Sequence, residues 1–216
     1  MKHANCESVA IAVFSRAPVP GQAKTRLIPS LGAEGAASLQ RAFLRRTLQT
    51  ALSARLGPVS LWCAPDCTHA DFQQCKIDFD VPLFRQCDGD LGVRMSAAFD
   101  TLCANNPVLL IGTDCPALTS GHLRLAAAAL LEGDDAVFLP ADDGGYVLVG
   151  LVRPEARVFT NMPWGSADVM GETRRRLLQC LMQWREPVLL WDVDGPEDIA
   201  RLRSSRLMEA WFEENE

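Results

Sequence analysis

A chain of 216 residues with 48% apolar and 22% charged residues fits a single globular domain, residues 1–216, that can bury a sizeable core. Its net charge of −6 argues against a nucleic-acid partner, and no apolar run approaches the roughly 20 residues that span a membrane. No signal-peptide core precedes the first apolar segment, so the expected compartment is the cytoplasm.

Strand and helix patterns alternate along the chain and predict an α/β fold with a mostly parallel sheet between helices. Up to residue 131, strands are predicted over residues 8–14, 59–63, about 83–84 and 108–111, and helices over 33–56, within 64–90, over 91–103 and over 119–131. Beyond it, strands are predicted over residues 136–139, 146–151 and 188–192, and helices over about 166–184 and 196–203. The acidic residues 209–216 are expected to form a solvated or frayed tail.

The eight cysteines are not expected to form a disulfide framework. The chain has no export signal, and its apolar residues can form a core without covalent cross-links. Cys63, Cys67, His69 and Cys75 form the one group with metal-like content. They lack the paired Cys-x-x-Cys spacing of zinc sites, so zinc is not expected there.

The first predicted strand leads into a loop, residues 15–27, that is basic within an acidic chain. Two prolines stiffen this loop, and Gly21 allows a ligand to approach the backbone closely. Lys24 and Arg26 add positive charge, and arginine can bind a phosphate through two parallel hydrogen bonds. Walker A spacing is absent, so the loop indicates either a site for a small anionic ligand or an ordinary solvated loop.

Two acids follow apolar strands at what should be the same edge of the sheet. Asp114 lies just beyond the strand predicted over residues 108–111, and Asp194 just beyond the one predicted over 188–192. Two carboxylates can hold Mg²⁺ or Mn²⁺ while water and phosphate oxygens complete the coordination. The alternative for Asp114 is to cap the next helix. Asp192 is expected to make a structural hydrogen bond.

Three further segments have both a structural and a functional interpretation. Residues 142–146 read Asp-Asp-Gly-Gly-Tyr, which suits either a hairpin turn or contact with a substrate hydroxyl. Asp90 precedes a predicted helix and is placed to be its N-cap. Trp164 lies among small residues, where it could form the wall of a sugar or base pocket or belong to the core.

Together these motifs resemble the GT-A-type nucleotide-diphospho-sugar transferase superfamily, and within it a bacterial family of glycosyltransferase-like proteins, some linked to arsenosugar biosynthesis. The matching segments, which span nearly the whole chain, are residues 18–21, 24–27, 90–95, 112–116, 142–146, 164 and 192–198. The basic loop also resembles that of phospholactate guanylyltransferase. The chain departs from many glycosyltransferases in one respect, because residues 112–114 supply only the last acid of an Asp-x-Asp pair.

The resemblance implies a three-layer αβα sandwich of the Rossmann-like GT-A type, with a nucleotide bound over its first half and a divalent metal. The residues implied to bind the nucleotide and its phosphates are Pro20, Gly21, Lys24, Thr25, Arg26, Asp90 and Gly92. Those implied to contact the substrate are Asp142, Gly144, Gly145, Tyr146 and Trp164. Asp114 and Asp143 are the candidate catalytic residues, with Asp143 as a base, and Asp114 and Asp194 are the candidate ligands of Mg²⁺ or Mn²⁺.

The leading hypothesis is a metal-dependent glycosyltransferase that uses a nucleotide sugar and a small-molecule acceptor. The close alternative is a nucleotidyltransferase, similar to guanylyltransferases, that joins a nucleoside triphosphate to a phosphorylated substrate. The basic first loop favours this alternative, since it could neutralise a triphosphate. A non-catalytic nucleotide-binding protein on the same scaffold is the third hypothesis, because a fold alone does not determine a function.

Overall fold

A computed structural model describes residues 8–215 of the chain, and in this range one seven-stranded sheet lies between two layers of helices. The strands are β1 Ala10–Arg16, β2 Val59–Ala64, β3 Leu83–Arg85, β4 Val108–Ile111, β5 Ala136–Pro140, β6 Tyr146–Leu151 and β7 Trp184–Arg185. The helices are α1 Ile28–Ala54, α2 Ala70–Phe79, α3 Leu91–Leu102, α4 Ser120–Leu131, α5 Val169–Gln179, α6 Pro196–Ser205 and α7 Glu209–Asn215. The predicted α/β class and three-layer arrangement are confirmed.

The order of strands in the sheet places a switch point beside β1. The order is β3-β2-β1-β4-β6-β5-β7, and only β6 runs antiparallel to its neighbours. The chain first moves outward from β1 to β3 and then crosses back to β4 on the other side of β1. In open α/β sheets, ligands bind at the carboxyl ends of the strands where this reversal occurs. The fold therefore favours a site between the ends of β1 and β4.

The two faces of the sheet are buried against different helices, as the alternation of side chains along a strand requires. Ile11 and Val13 of β1 point to the face covered by α1 and α4, whereas Ala12 and Phe14 point to the face covered by α3 and α5. Thr119 caps α4, as the sequence predicts, and its hydroxyl accepts the His122 N–H at 3.2 Å. None of the helices within residues 8–215 is long and apolar enough to cross a membrane.

Two predictions for residues 166–192 are wrong. The predicted helix is shorter, because the chain leaves α5 at Cys180 and adopts left-handed backbone at Leu181, with φ 54°. Trp184–Arg185 then pairs with the start of β5 instead of continuing the helix. The strand predicted over residues 188–192 is reduced to one bridge between Leu190 and Ala141, because this segment follows the open edge of the sheet.

The expectation of a frayed tail is also wrong for the described residues of that segment. They form α7, in which Trp211 and Phe212 are buried in a third apolar cluster with residues of α1 and α6. The Trp211 indole N–H donates to the Ser38 hydroxyl at 3.0 Å. Two adjacent aromatic side chains therefore anchor the helix despite its acidic neighbours. Cys6 lies outside the described residues, and the other seven cysteines are free thiols.

Candidate functional site

A cavity of about 420 Å³ opens at the switch point between β1 and β4. Its walls come from the end of β1, the first loop, the residues that follow β4, and residues 192 and 194. The predicted site residues that line it are Lys24, Thr25, Arg26, Asp114, Tyr146 and Asp194. Those that do not line it are Pro20, Gly21, Asp90, Gly92, Asp142, Asp143, Gly144, Gly145 and Trp164. The cavity thus joins the basic loop and the strand-end acids, which are far apart in the sequence.

Lys24 is held firmly in this cavity by its own chain. Its side chain is only 5% exposed, and its ammonium lies 2.7 Å from Asp114 Oδ1. The ammonium also donates to the Val193 carbonyl oxygen at 2.6 Å and lies 5.5 Å from the centre of the Phe43 ring. The backbone of Lys24 is left-handed, with φ 48°, a conformation that costs about 1–2 kcal/mol for a residue with a side chain. Lys24 keeps this conformation in the loop, and its ammonium is thereby directed at Asp114.

Arg26 and Asp194 form the second ion pair of the cavity, with 2.5 Å between Nη1 and Oδ2. Both side chains are more than half exposed. Ion pairs of this kind stabilise a protein by about 0–1 kcal/mol, because water already solvates both charges. A ligand phosphate could therefore replace Asp194 as the partner of Arg26, and a cation could replace Arg26 as the partner of Asp194, with little loss of protein stability.

Asp192 is a further acid of the cavity, although its sequence context predicts only a structural hydrogen bond. Its side chain lines the cavity. Burial is the main cause that raises the pKa of its carboxyl to about 7, and the carboxylates of Asp143, Asp114 and Asp194 contribute to this shift. Three other carboxylates therefore act on Asp192 here. The available signal in the sequence was the alternation Asp192-Val193-Asp194, which puts two acids on the same side of an extended segment.

A row of buried polar side chains lies behind Asp114 and was also missed. The Gln40 amide of α1 donates to the Thr113 hydroxyl at 3.0 Å and to the Ser15 hydroxyl at 3.3 Å. The Thr113 hydroxyl in turn lies 3.5 Å from Asp114 Oδ1. Gln40 thus connects the ends of β1 and β4. The signal was a glutamine on the apolar face of a predicted helix, where an apolar residue is expected.

Two arginines give the cavity further positive charge. Arg16 and Arg94 line both this cavity and an adjoining one of about 340 Å³. Arg16 is exposed at the end of β1, whereas the Nε of Arg94 donates to the Gly89 carbonyl at 2.9 Å. The two cavities share these residues in their lining, so the cations lie where the cavities adjoin.

The segment over residues 142–146 is a tight turn beside the cavity. Asp142 pairs with Arg201, with 2.5 Å between Oδ2 and Nη1, and Asp143 Oδ1 accepts the Gly145 N–H at 2.8 Å. Gly144 has φ 93°, and a Cβ there would overlap the Ala167 backbone, so only glycine fits. The backbone of this segment is therefore the hairpin turn that the sequence offers as its structural interpretation. Oδ2 of Asp143 makes none of the hydrogen bonds found within residues 8–215.

Two residues of the predicted nucleotide site have structural roles in α3. Asp90 caps the helix by accepting the Val93 N–H at 2.9 Å. Gly92 packs against the Phe159 carbonyl and the Trp164 ring, so that a side chain there would clash. These contacts fix where α3 begins, and α3 forms one wall of the cavity through Arg94 and Met95.

Tyr146 and Trp164 lie together at one end of the site. Their rings meet edge to face, with centroids 6.4 Å apart. The Tyr146 hydroxyl and the Trp164 Nε1 are both buried without a hydrogen-bond partner in the described part of the chain. Burial raises the pKa of the tyrosine far above its usual range, so its hydroxyl stays protonated.

The oxygen donors of this site suit a hard divalent cation. Mg²⁺ is commonly bound through one or two carboxylates together with substrate phosphates and water. Among residues 8–215, however, no three His, Cys, Asp or Glu side chains are arranged to hold a metal by themselves. Burial first and the neighbouring carboxylates second raise the pKa of Asp192, and a cation among these carboxylates would lower it. The residues therefore fit an ion that binds together with a phosphate ligand.

A family model described as "Uncharacterized protein conserved in bacteria (DUF2064)" matches residues 47–166 of the chain. No curated protein matches the chain. A solved structure of a candidate nucleotide-diphospho-sugar transferase from Desulfovibrio desulfuricans G20 is similar to it, with a TM-score of 0.83 and 28% identity over 97% of this chain and 95% of that chain.

Two more distant structures share the fold. A cytidylyltransferase from Leptospira borgpetersenii gives a TM-score of 0.60 at 14% identity, over 92% of this chain and 86% of that chain. Glucosyl-3-phosphoglycerate synthase from Mycobacterium tuberculosis, in complex with Mn²⁺, UDP and glucosyl-3-phosphoglycerate, gives a TM-score of 0.56 at 9% identity, over 97% of this chain and 80% of that chain. The fold thus occurs in enzymes of both sugar and nucleotidyl transfer.

Proposed function

Because the chain belongs to the DUF2064 family and has the fold of nucleotide-dependent transferases, we propose that it transfers a sugar from a nucleotide-activated donor to a small-molecule acceptor. The observation that carries this proposal is the Lys24–Asp114 contact of 2.7 Å at the switch point. It brings a phosphate-binding type of residue and a metal-binding type of residue into one cavity. A nucleoside diphosphate leaving group needs both kinds of charge.

The ion pairs suggest how this chain binds the donor. Asp114 and Asp194 would hold Mg²⁺ or Mn²⁺, which would neutralise the diphosphate as the bond to the anomeric carbon breaks. Once these acids have the cation as a partner, Lys24 and Arg26 are free to pair with phosphate oxygens. Phosphate and cation therefore favour each other's binding, because each supplies the partner that the other displaces.

Asp143 is the proposed base. Its carboxylate does not line the cavity, but it is one of those that raise the pKa of Asp192 inside it. Its Oδ1 is held by the Gly145 N–H, which fixes the orientation of the carboxylate. The acceptor hydroxyl would lose its proton to Asp143 while its oxygen bonds to the anomeric carbon. The bond between that carbon and the phosphate oxygen breaks, and the nucleoside diphosphate leaves.

Nucleotidyl transfer is the second candidate, and one observation favours it. Arg16 and Arg94 line the cavity in addition to Lys24 and Arg26, so four cations surround it. This charge suits a triphosphate, whose α-phosphate would be attacked by a substrate phosphate with loss of pyrophosphate. The two reactions use the same cavity and differ in the bond that breaks.

Thermal shift measurements can separate the candidates. Nucleotide sugars, nucleoside diphosphates and nucleoside triphosphates would be compared with and without Mg²⁺ or Mn²⁺. A ligand at 100 times its dissociation constant should add about 2.7 kcal/mol to the free energy of unfolding. Stabilisation by a nucleotide sugar, with metal-dependent release of nucleoside diphosphate, supports glycosyl transfer. Pyrophosphate release from a triphosphate supports the second candidate, and tight binding without turnover supports a non-catalytic protein.

A further inference from the structure

One end of the cavity is apolar and differs from the charged end. We call it the apolar recess and define it by Phe14, Leu91, Met95, Leu110, Tyr146 and Val149, all of which line the cavity. It lies between the sheet and the start of α3, on the face that α3 and α5 cover. None of the six side chains carries a charge. A phosphate or carboxylate placed there would lose its hydration without gaining a counter-charge from these residues.

An unusual pair of polar atoms lies at the recess, one on Tyr146 in its lining and one on Trp164, which packs against Tyr146 but does not line the cavity. Three buried side-chain polar atoms lack a hydrogen bond in residues 8–215, and they belong to Tyr146, Trp164 and Asp134. The Asp134 atom is 2.5 Å from Arg185 Nε in an ion pair. Only the Tyr146 hydroxyl and the Trp164 indole N–H therefore lack any polar partner within residues 8–215. These two residues are in ring contact with each other. Leaving a buried donor unpaired costs about 1–3 kcal/mol, so a ligand that accepts from it gains that energy.

The mouth of the recess is also apolar. Leu91 is 44% exposed at the first position of α3, although leucine is a residue that burial favours. Tyr146 begins β6 directly after the turn that carries Asp143. A molecule that contacts Tyr146 in the recess is therefore next to the turn that carries the proposed base, although Asp143 itself does not line the cavity.

We propose that the apolar recess binds the acceptor, and that this acceptor is a small neutral molecule with an apolar ring or chain and an oxygen that accepts a hydrogen bond from Tyr146. The identification of this molecule as the acceptor rests on the proposed function, but its binding to the recess can be tested without turnover. Phosphate esters and carboxylates are excluded as the group that occupies the recess.

The sequence supplies a reporter for this test, because Tyr146 is the only tyrosine in the chain. Protein made with 3-fluorotyrosine should give one ¹⁹F resonance. The probes are benzyl alcohol, toluene and benzoate, which all contain one benzene ring. Benzyl alcohol carries a hydroxyl, toluene carries no polar group, and benzoate carries a negative charge. Benzyl alcohol should shift the resonance in a saturable way, toluene should bind more weakly, and benzoate should not bind. Equal binding of benzoate, or no shift with any probe, overturns the proposal.

Two variants sharpen the result, with probe affinity followed by saturation-transfer NMR of the probe. Tyr146→Phe keeps the ring and should weaken benzyl alcohol about two- to tenfold, while toluene is unaffected. Leu91→Glu should weaken both neutral probes, whereas Leu125→Glu, at a 47% exposed leucine of α4, should not. Equal losses in Leu91→Glu and Leu125→Glu count against the recess.

The thermal shift panel on the unmodified protein keeps this inference apart from the proposed function. Nucleotide binding without any probe in the recess overturns the inference alone. Probe binding in the recess, with no stabilisation by any nucleotide, overturns the proposed transfer reaction and leaves the recess in place as a binding site.

Discussion

Lys24 of the first loop and Asp114 at the end of β4 form an ion pair with 2.7 Å between Nζ and Oδ1, although 90 positions separate them in the chain. The same ammonium donates to the Val193 carbonyl, and the Val193 N–H donates to the Asp114 carbonyl at 2.8 Å. Three segments therefore meet at one buried cation. Lys24 holds these three segments together, and under the proposed function it is the group that would change partners when the nucleotide binds.

Lys24→Met should lower the free energy of unfolding by about 1.5–3 kcal/mol, because the methionine keeps the apolar stem and removes hydrogen bonds from a charged donor. It should also weaken nucleotide binding. Urea denaturation and nucleotide titration measure the two effects. Lys76→Met, at an exposed position of α2, is the matched control and should stay within about 0.5 kcal/mol of the parent. Equal unfolding free energies for the two variants would contradict a structural role for Lys24.

Asp114→Asn should keep the fold and lose on the order of 10²-fold or more in turnover, as is typical when one preorganised electrostatic group is removed. The side chain is 49% exposed, so the neutral amide can be accommodated. The assay is metal-dependent release of nucleoside diphosphate. Asp78→Asn, on the outer surface of α2 in a pair with Arg45, should leave turnover unchanged. A folded Asp114→Asn variant with full activity and the same metal dependence would remove Asp114 from the site.

Arg26→Ala should weaken nucleotide binding by about 1.5–3 kcal/mol if its guanidinium contacts phosphate. The melting temperature without ligand should hardly change, since the pair with Asp194 is exposed. Arg153→Ala is the control, because Arg153 is an exposed arginine that pairs with Asp135. It follows the antiparallel strand β6 and so lies at the end of the sheet opposite the cavity. Calorimetric titration of both variants with the same nucleotide measures the difference. If both retain the parent's affinity, Arg26 does not contact the phosphate and is an ordinary solvated side chain of the first loop.

The elements that surround the switch point were predictable because their patterns are local. The apolar run over residues 108–111 is bounded by turn-forming residues, and it forms β4 with those bounds. The first loop follows β1 and reaches the cavity as expected. Residues 180–192 were not predictable from periodicity, because their apolar side chains lie along the sheet edge and are partly exposed, as with Leu189.

The interactions within the site depend on contacts that a sequence does not encode locally. The raised pKa of Asp192 comes from burial and from Asp143 and Asp114, which lie on other segments. Gln40 carries the helical pattern of a core residue, and its partners Ser15 and Thr113 become apparent only when β1 and β4 are adjacent. The residue types of the site were therefore predictable, but their pairing was not.

Cys115 should behave as an inert structural thiol, although it lines the cavity beside Asp114. Burial is the main cause that raises the pKa of this thiol to about 12, and the Asp192 carboxylate contributes to this shift. At pH 8 the thiol therefore stays protonated, and only the thiolate reacts with an alkylating reagent. In the folded protein, iodoacetamide should modify the half-buried Cys87 well before Cys115, as measured by peptide mass spectrometry.

When the protein is denatured before alkylation, all eight cysteines, including Cys6, should be modified as free thiols. A folded Cys115→Ser variant should keep its turnover, because no covalent step through sulfur is part of the proposed reaction. Modification of Cys115 as fast as Cys87 at pH 8 would show that its thiolate is accessible. Loss of all turnover in a Cys115→Ser variant that still binds nucleotide would make the sulfur a participant in the chemistry.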